Sequence, residues 1–258
     1  MVWLRIIDLS VPTEESASEA LGLKVTHLDH RTSVSLMTQF FDCGEDDLPE
    51  GLGWANDEVT LFSHSGTHVD APWHYYPTCG GRPARKIDEL PLEWFFSPGV
   101  VLDFRNKEKG SKLQIEDFQR ALHKIGYALN PGDIVLVQTG ADKLWGQREY
   151  FDAGCGVSAA ATSWLIDQGI RVMGIDAWSW DRPFWAAKDE FQRTRNPVVI
   201  WEAHRVGMKK EYCHIEKLAN LDRLPTAFGF TVASFPVRLA GGSAAWCRTV
   251  AIVEEGAP

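Results

Sequence analysis

A single mixed α/β domain spanning residues 1–258 is predicted from three observations. Short apolar runs bounded by Gly, Pro and Asp recur along the chain, two segments of helical period stand between them, and no low-complexity stretch or linker divides the sequence. The chain opens with LRIIDLS, an apolar run that predicts a strand. Residues 11–57 are polar and lack periodicity, so they predict irregular structure, with GEDDLPEGLG as an exposed loop. EVTLFSH alternates apolar and polar residues, as a half-buried strand does, and runs into HSGTHVDAPWH. GVVLDF (99–104) and DIVLVQTG (133–140) predict buried strands. Between them, IEDFQRALHKIG places Ile115, Phe118, Leu122 and Ile125 on one helical face. VSAAATSWLIDQG predicts a second helix, with Ser158 as N-cap and Gly169 as the stop. RVMGID, FTVASFPVRL and RTVAIVEE predict the remaining strands, the last two joined by RLAGGSAAWCR (238–248), where Gly241-Gly242 predicts a hairpin loop. The charged run DFRNKEKGSK (103–112) predicts a solvated loop, and His27 and His30 predict surface positions.

Composition narrows the function classes. The chain is 45% apolar and 24% charged, in the range of globular proteins. A net charge of -9 disfavours nucleic-acid binding, which needs basic patches to meet phosphate. No apolar run approaches the roughly 20 residues that span a bilayer, and the N-terminus lacks the pattern of a secretory leader. Five cysteines without CxxC spacing predict free thiols and a cytoplasmic setting.

The densest chemical signal is HSGTHVDAPWH, residues 64–74, which holds three of the eight histidines. Ser65, Gly66, Thr67 and Val69 are poor helix formers. A straight strand would hold His64 and His68 about 13 Å apart at Cα, too far for two imidazoles that each bind an ion at about 2.1 Å. A bend at Ser65-Gly66 is therefore expected, bringing His64, His68 and Asp70 onto one ion. Two imidazoles and a carboxylate suit Zn²⁺, Mn²⁺ or Fe²⁺. Pro72 pre-sets the backbone and directs His74 to the same place. A pKa of about 6.5 suits a histidine to proton transfer near neutrality. Ser65 and Thr67 are expected either to hydrogen-bond the neighbouring histidines or to serve the turn itself.

This stretch resembles the HxGTHxDxPxH signature of the cyclase family of metal-dependent hydrolases, which includes kynurenine formamidase and isatin hydrolase, and the resemblance extends from IIDLS through ANLDRLP to the final strands. It implies a swivelling β/β/α fold, a mixed sheet with flanking helices, and assembly as a homodimer or homotetramer. It implies hydrolysis of an amide, lactam or lactone bond in a small, aromatic or cyclic molecule, with one or two Zn²⁺ or Mn²⁺ ions per chain. By the same resemblance His64, His68 and Asp70 match the first metal's ligands and His74 the catalytic histidine. His204 and Glu216, twelve residues apart, match the ligands of a second metal that shares Asp70. His214 lies close enough to compete as a ligand.

IDAWSWDRPFW (175–185) is expected either to pack into the core or a subunit interface or to form an aromatic wall for the substrate, with Trp178 and Trp180 in it and Trp54 and Trp73 added from elsewhere. Asp176 is expected either to orient a ligand histidine or to end its strand. Ala244-Ala245-Trp246 replaces the Ser-Pro type of sequence common in relatives and implies a substrate other than that of kynurenine formamidase. Two further readings stay open at this level: a metal-dependent cyclase or dehydratase, and a non-catalytic small-molecule binder. A fourth histidine, His74, favours an enzyme over a binder.

Overall fold

The computed structural model describes residues 3–255, and the statements below concern those residues. Nine strands make one mixed sheet: β1 (Trp3–Asp8), β2 (His68–Asp70), β3 (Phe96–Asp103), β4 (Ile134–Gln138), β5 (Val172–Ile175), β6 (Cys213–Glu216), β7 (Phe228–Ala233), β8 (Ala244–Trp246) and β9 (Val250–Glu255). Their order across the sheet is β1-β9-β7-β3-β4-β5-β6-β2-β8. The run from β3 to β6 is parallel, and the strands on either side of it pair antiparallel. Five α-helices accompany the sheet: α1 (Val34–Phe41), α2 (Pro72–Tyr75), α3 (Ile115–Ile125), α4 (Ala159–Asp167) and α5 (Phe184–Thr194).

The central strands are apolar on both faces because both faces are covered. Successive side chains of a strand point to opposite sides. Val135 and Val137 of β4 therefore join Val100, Met173, Phe118 and Leu122 of α3, and Leu165 of α4 in one cluster. Ile134 and Leu136 join the opposite cluster, with Val101 and Val172. That second cluster also takes Val69 and Ala245 from one end of the sheet and Ile7, Phe230 and Val253 from the other, so the sheet curls around it.

Local signals set the helix ends. Ser158 Oγ accepts a hydrogen bond from Ala161 N at 3.1 Å and caps α4. Asp117 Oδ2 accepts one from Gln114 N at the start of α3, which ends on left-handed Gly126.

Three sequence expectations are corrected, and one helix was missed. Residues 11–57 are not irregular: they contain α1, two short 3-10 turns, and the strand Leu23–Leu28, which pairs antiparallel with Asn56–Leu61 in a ribbon outside the main sheet. None of the α1 residues is buried, so this region has no burial period to leave a sequence pattern. α5 was not anticipated, because aromatic residues crowd its start and mask the period. RLAGGSAAWCR is not a simple hairpin loop. Its Ala244–Trp246 leaves the last two strands and pairs with β2 as β8. FTVASFPVRL stops as a strand at Ala233, ahead of Pro236, which has no N–H to offer a ladder. All five cysteines are free, and no helix is long and apolar enough to cross a membrane.

Leu136 is fully buried at the sheet centre, so Leu136→Ala is expected to lower the unfolding free energy by about 2–5 kcal/mol. Ser158→Ala is expected to lower it by about 1 kcal/mol. Urea titration of the purified variants measures both.

Candidate metal centre

One row of the sheet explains where the chemistry gathers. Val100, Val135, Met173, His214, Asp70 and Ala244 face one another across six neighbouring strands. The row begins apolar and becomes polar where parallel β6 meets antiparallel β2. There His214 pairs with Asp70 and Glu216 pairs with His68. Opposed side chains on one face of an antiparallel pair lie about 5 Å apart at Cβ, so four donors share one block. All four are buried.

Other segments bring three more histidines to the block. Gly66 adopts a φ of 60°, and the chain bends there as expected, leaving the rings of His64 and His68 with centroids 5.1 Å apart. Pro72 starts α2, which turns His74 back until its ring centroid is 4.0 Å from that of His64. His204 enters on the 3-10 turn His204–Met208, its ring centroid 4.5 Å from that of His214.

Asp70 is the hub. Its Oδ1 lies 2.8 Å from His64 Nδ1 and 3.3 Å from His68 Nε2. Its Oδ2 lies 2.9 Å from His214 Nε2, 3.6 Å from His74 Nε2 and 3.7 Å from His204 Nε2. Glu216 Oε1 lies 3.2 Å from His214 Nε2 and 3.7 Å from His204 Nε2, and its Oε2 lies 3.6 Å from His68 Nε2. Two overlapping sets have their donor atoms mutually within 4.8 Å: Asp70, His204, His214 and Glu216, and His64, Asp70 and His74.

Ring orientation is set from behind. His204 Nδ1 contacts Asp181 Oδ2 at 2.6 Å, which leaves the Nε2 lone pair facing Asp70 and Glu216. His68 Nδ1 contacts the Gly66 carbonyl at 2.9 Å, with the same effect. Glu216 Oε1 accepts a hydrogen bond from Trp180 N at 2.7 Å. Two atoms then stand out: His68 Nε2 and Asp70 Oδ1 are buried and have no hydrogen-bond partner. Buried polar atoms are nearly always paired. Imidazole and carboxylate donors crowded within 4.8 Å of one another are of the kind that holds a divalent cation, and the N,O character matches one.

The electrostatics agree. Burial and Asp70 push the Glu216 carboxyl up, but His214 and His204 outweigh them and hold it down at about 2. Burial raises Asp70 too, yet His74, His64 and His68 hold it well below the usual carboxylate range. Burial would lower His214, but its hydrogen bonds to Asp70 and Glu216 lift it to about 9. Burial pushes His74 down to about 3, so its ring is neutral at pH 7. The interior thus holds two ionised carboxylates, which the protonated His214 between them offsets in part.

The residues expected to form the substrate wall divide. Trp180 is corrected: it is fully buried, donates its indole N–H to Thr162 Oγ1 at 3.0 Å, and stacks on His214 at 6.0 Å between centroids. It supports the donors from below. Trp178 is partly buried against Phe151 and Phe184. Trp73 lies beneath Lys86 and Trp54 against Phe40, both with exposed faces. Asp176 ends its strand, accepting hydrogen bonds from Thr139 N, Thr139 Oγ1 and Gly140 N. The residue that orients a histidine is Asp181. Sequence reasoning also missed Trp201. Its ring stacks on His204 with centroids 4.3 Å apart, stands edge-on to His74 at 5.0 Å, and borders a cleft of about 470 Å³ that Phe184, Phe191 and Ile200 line. An aromatic residue three positions before a candidate ligand was the available signal.

A family model described as a putative cyclase matches residues 7–182, more than half of the chain. Kynurenine formamidase of Bacillus mycoides is 26% identical over 124 residues, 48% of this chain and 52% of that protein. The chain thus spans about half the length of this relative. Kynurenine formamidase of Salinibacter ruber is 26% identical over 212 residues, 80% of this chain and 82% of that protein. Among solved structures, an isatin hydrolase bound to the product analogue thioisatinate superposes with a TM-score of 0.74 at 19% identity, covering 98% of this chain and 93% of that one. Isatin hydrolase A from Labrenzia aggregata, bound to benzyl benzoate, gives 0.74 at 22%, covering 98% and 94%. At these identities the two structures show the shared fold.

Asp70 belongs to both donor sets. Wild-type protein stripped of metal and dialysed against Zn²⁺ or Mn²⁺ is therefore expected to take up at least one ion per chain, and Asp70→Ala to take up none. Equal uptake by the two, measured by atomic emission, would show that the ion binds elsewhere.

Proposed function

The chain belongs to the cyclase family, and on that premise we propose that it is a metal-dependent hydrolase of an amide, lactam or lactone bond in a small aromatic or cyclic molecule. One observation carries the proposal: His68 Nε2 and Asp70 Oδ1 are buried, unpaired and aimed into a ring of further imidazole and carboxylate donors. The relatives support the amide class, since they are named as a formamidase and an isatin hydrolase.

In this proposal His64, His68 and Asp70 hold one ion, Zn²⁺ or Mn²⁺, and His204 and Glu216 hold a second that shares Asp70. A divalent cation in such a site supplies Lewis acidity toward a carbonyl oxygen and lowers the pKa of water to about 7. The chain's own residues do the rest. Neutral His74 takes a proton at Nε2 and returns it to the leaving nitrogen or oxygen. Its partly open position, with 22% of the side chain exposed, gives it access to substrate. Asp181 keeps the His204 tautomer fixed through the cycle. The cleft beside Trp201 receives the unreactive part of the substrate and excludes water from it, and Trp178 contributes through its contact with Phe184, which lines the cleft. Trp73, next to His74 on α2, and Trp54 complete the candidate contacts. Assembly as a homodimer or homotetramer and a cytoplasmic location belong to the same proposal. The exposed apolar Trp3, Leu4 and Ile6 on edge strand β1 support the first, and the five free thiols support the second.

His74→Ala is expected to keep its metal and to lose about 10²- to 10⁴-fold in turnover on a panel of formanilides, lactams and lactones. A variant that loses the ion instead makes His74 a ligand. Glu216→Gln keeps shape and removes a charge. It is expected to fall from two ions per chain to one, because anionic ligands must offset the repulsion between two divalent cations. Equal metal content and turnover in wild type and variant would establish a one-ion enzyme.

A further inference from the structure

Among the seven donor residues, His64 is the one that lies in neither a strand, a helix nor a 3-10 turn. Its position depends on how the bend at Ser65-Gly66 is held. The side chains that hold it come from elsewhere in the chain. Lys217 and Glu19 form an ion pair with both side chains 1% exposed. Lys217 Nζ contacts Glu19 Oε1 at 3.2 Å and Oε2 at 3.0 Å, and donates to the His64 carbonyl at 2.9 Å. Glu19 Oε1 in turn accepts a hydrogen bond from Gly66 N at 2.6 Å. The pair therefore grips the main chain on both sides of Ser65. The indole of Trp178 closes the remaining side, 5.1 Å from the ammonium.

Lys217 is itself tightly anchored. It follows Glu216 at the end of β6 and has a φ of 58°, uncommon for a residue other than glycine. Its N–H donates to the Ala177 carbonyl at 3.0 Å. Its own carbonyl accepts from Thr67 Oγ1 at 2.6 Å, and Thr67 Oγ1 accepts from Val11 N at 2.9 Å. Buried ion pairs are often replaceable by apolar residues without loss of stability, so stability alone does not account for this one.

We propose that the Glu19–Lys217 pair is a clamp that positions His64 for metal, registering the bend at residues 64–66 against the Glu216 strand. Both are positioning residues, acting through the main chain of the donor loop. The inference rests on the metal-hydrolase function proposed above. It predicts that the pair governs the affinity and geometry of the ion at His64 without touching it, as groups behind metal ligands do, with effects of about 10- to 100-fold.

The test uses full-length protein and Co²⁺, whose visible absorption reports ligand geometry. The double variant E19Q/K217M, which removes both charges together, is expected to fold by circular dichroism. It is expected to bind Co²⁺ about 10- to 100-fold more weakly in chelator competition, with an altered visible spectrum. A pair that served only stability would shift the melting temperature and leave the affinity and spectrum of the folded protein at wild-type values, and that result overturns the clamp. If the double variant does not fold, E19Q alone is used. It keeps the side-chain shape and is expected to weaken Co²⁺ binding in the same direction, whereas wild-type affinity in folded E19Q overturns the clamp. Wild-type protein that binds no Co²⁺ overturns the hydrolase proposal itself. Wild-type binding with unaltered variants overturns the clamp alone.

Discussion

Two ionised carboxylates, Asp70 and Glu216, buried on adjacent strands at the heart of a sheet, are the constraint that the rest of the structure answers. Unpaired charges in that position would cost several kcal/mol each. Every element around them offsets part of that cost. His214 stands between the two with one nitrogen. Trp180 gives a backbone N–H to Glu216. The remaining imidazoles approach Asp70 closely while leaving Asp70 Oδ1 and His68 Nε2 unpaired. The resulting cluster of imidazoles and carboxylates is of the kind that holds a divalent cation.

The fold solves the placement problem with pleat and register. A parallel core of β3 to β5 is apolar on both faces and needs helices on one side and the curl of the sheet on the other, while β6 beside it carries His214 and Glu216 on one face. Joining an antiparallel β2 to its edge adds donors without loosening the core, because the period of two leaves Val69 and Ile215 in the apolar cluster while Asp70, His68, His214 and Glu216 point the other way. A one-residue slip of β2 would turn His68 and Asp70 into the apolar cluster and Val69 toward the donors on β6. The clamp of Glu19 and Lys217 extends the same logic to the bend before β2, where no ladder holds the chain.

Aromatic residues serve two separate purposes around the donors. Trp180, Tyr75 and Tyr212 form a dry floor that fixes His214. Trp201 stands between the donors and an apolar cleft, touching His204 and His74 on one side and the cleft on the other. The family model covers the stretch from His64 to His74, whereas α5 and Trp201, which line the cleft, lie beyond its last matched residue, 182. The segment between β5 and β6 thus supplies both the donor His204 and the wall of the cleft beside it.

The sequence by itself determined the family, the bend at Gly66, the buried strands β3, β4 and β5, and the helices α3 and α4. Each of these rests on short-range chemistry: donor types in one eleven-residue stretch, a glycine free to take positive φ, runs of β-branched residues, an apolar helical stripe and a serine cap. Tertiary structure alone decided which distant side chains meet. The strand pairing of His214 with Asp70, the choice of Asp181 over Asp176 behind His204, the burial of Trp180, the return of Ala244–Trp246 to β2 and the reach of Glu19 to Lys217 all join positions far apart in the chain. Spacing along a chain carries no information about register between strands separated by 140 residues. The energy that selects that register comes from the whole core closing at once, and it is written in no local pattern.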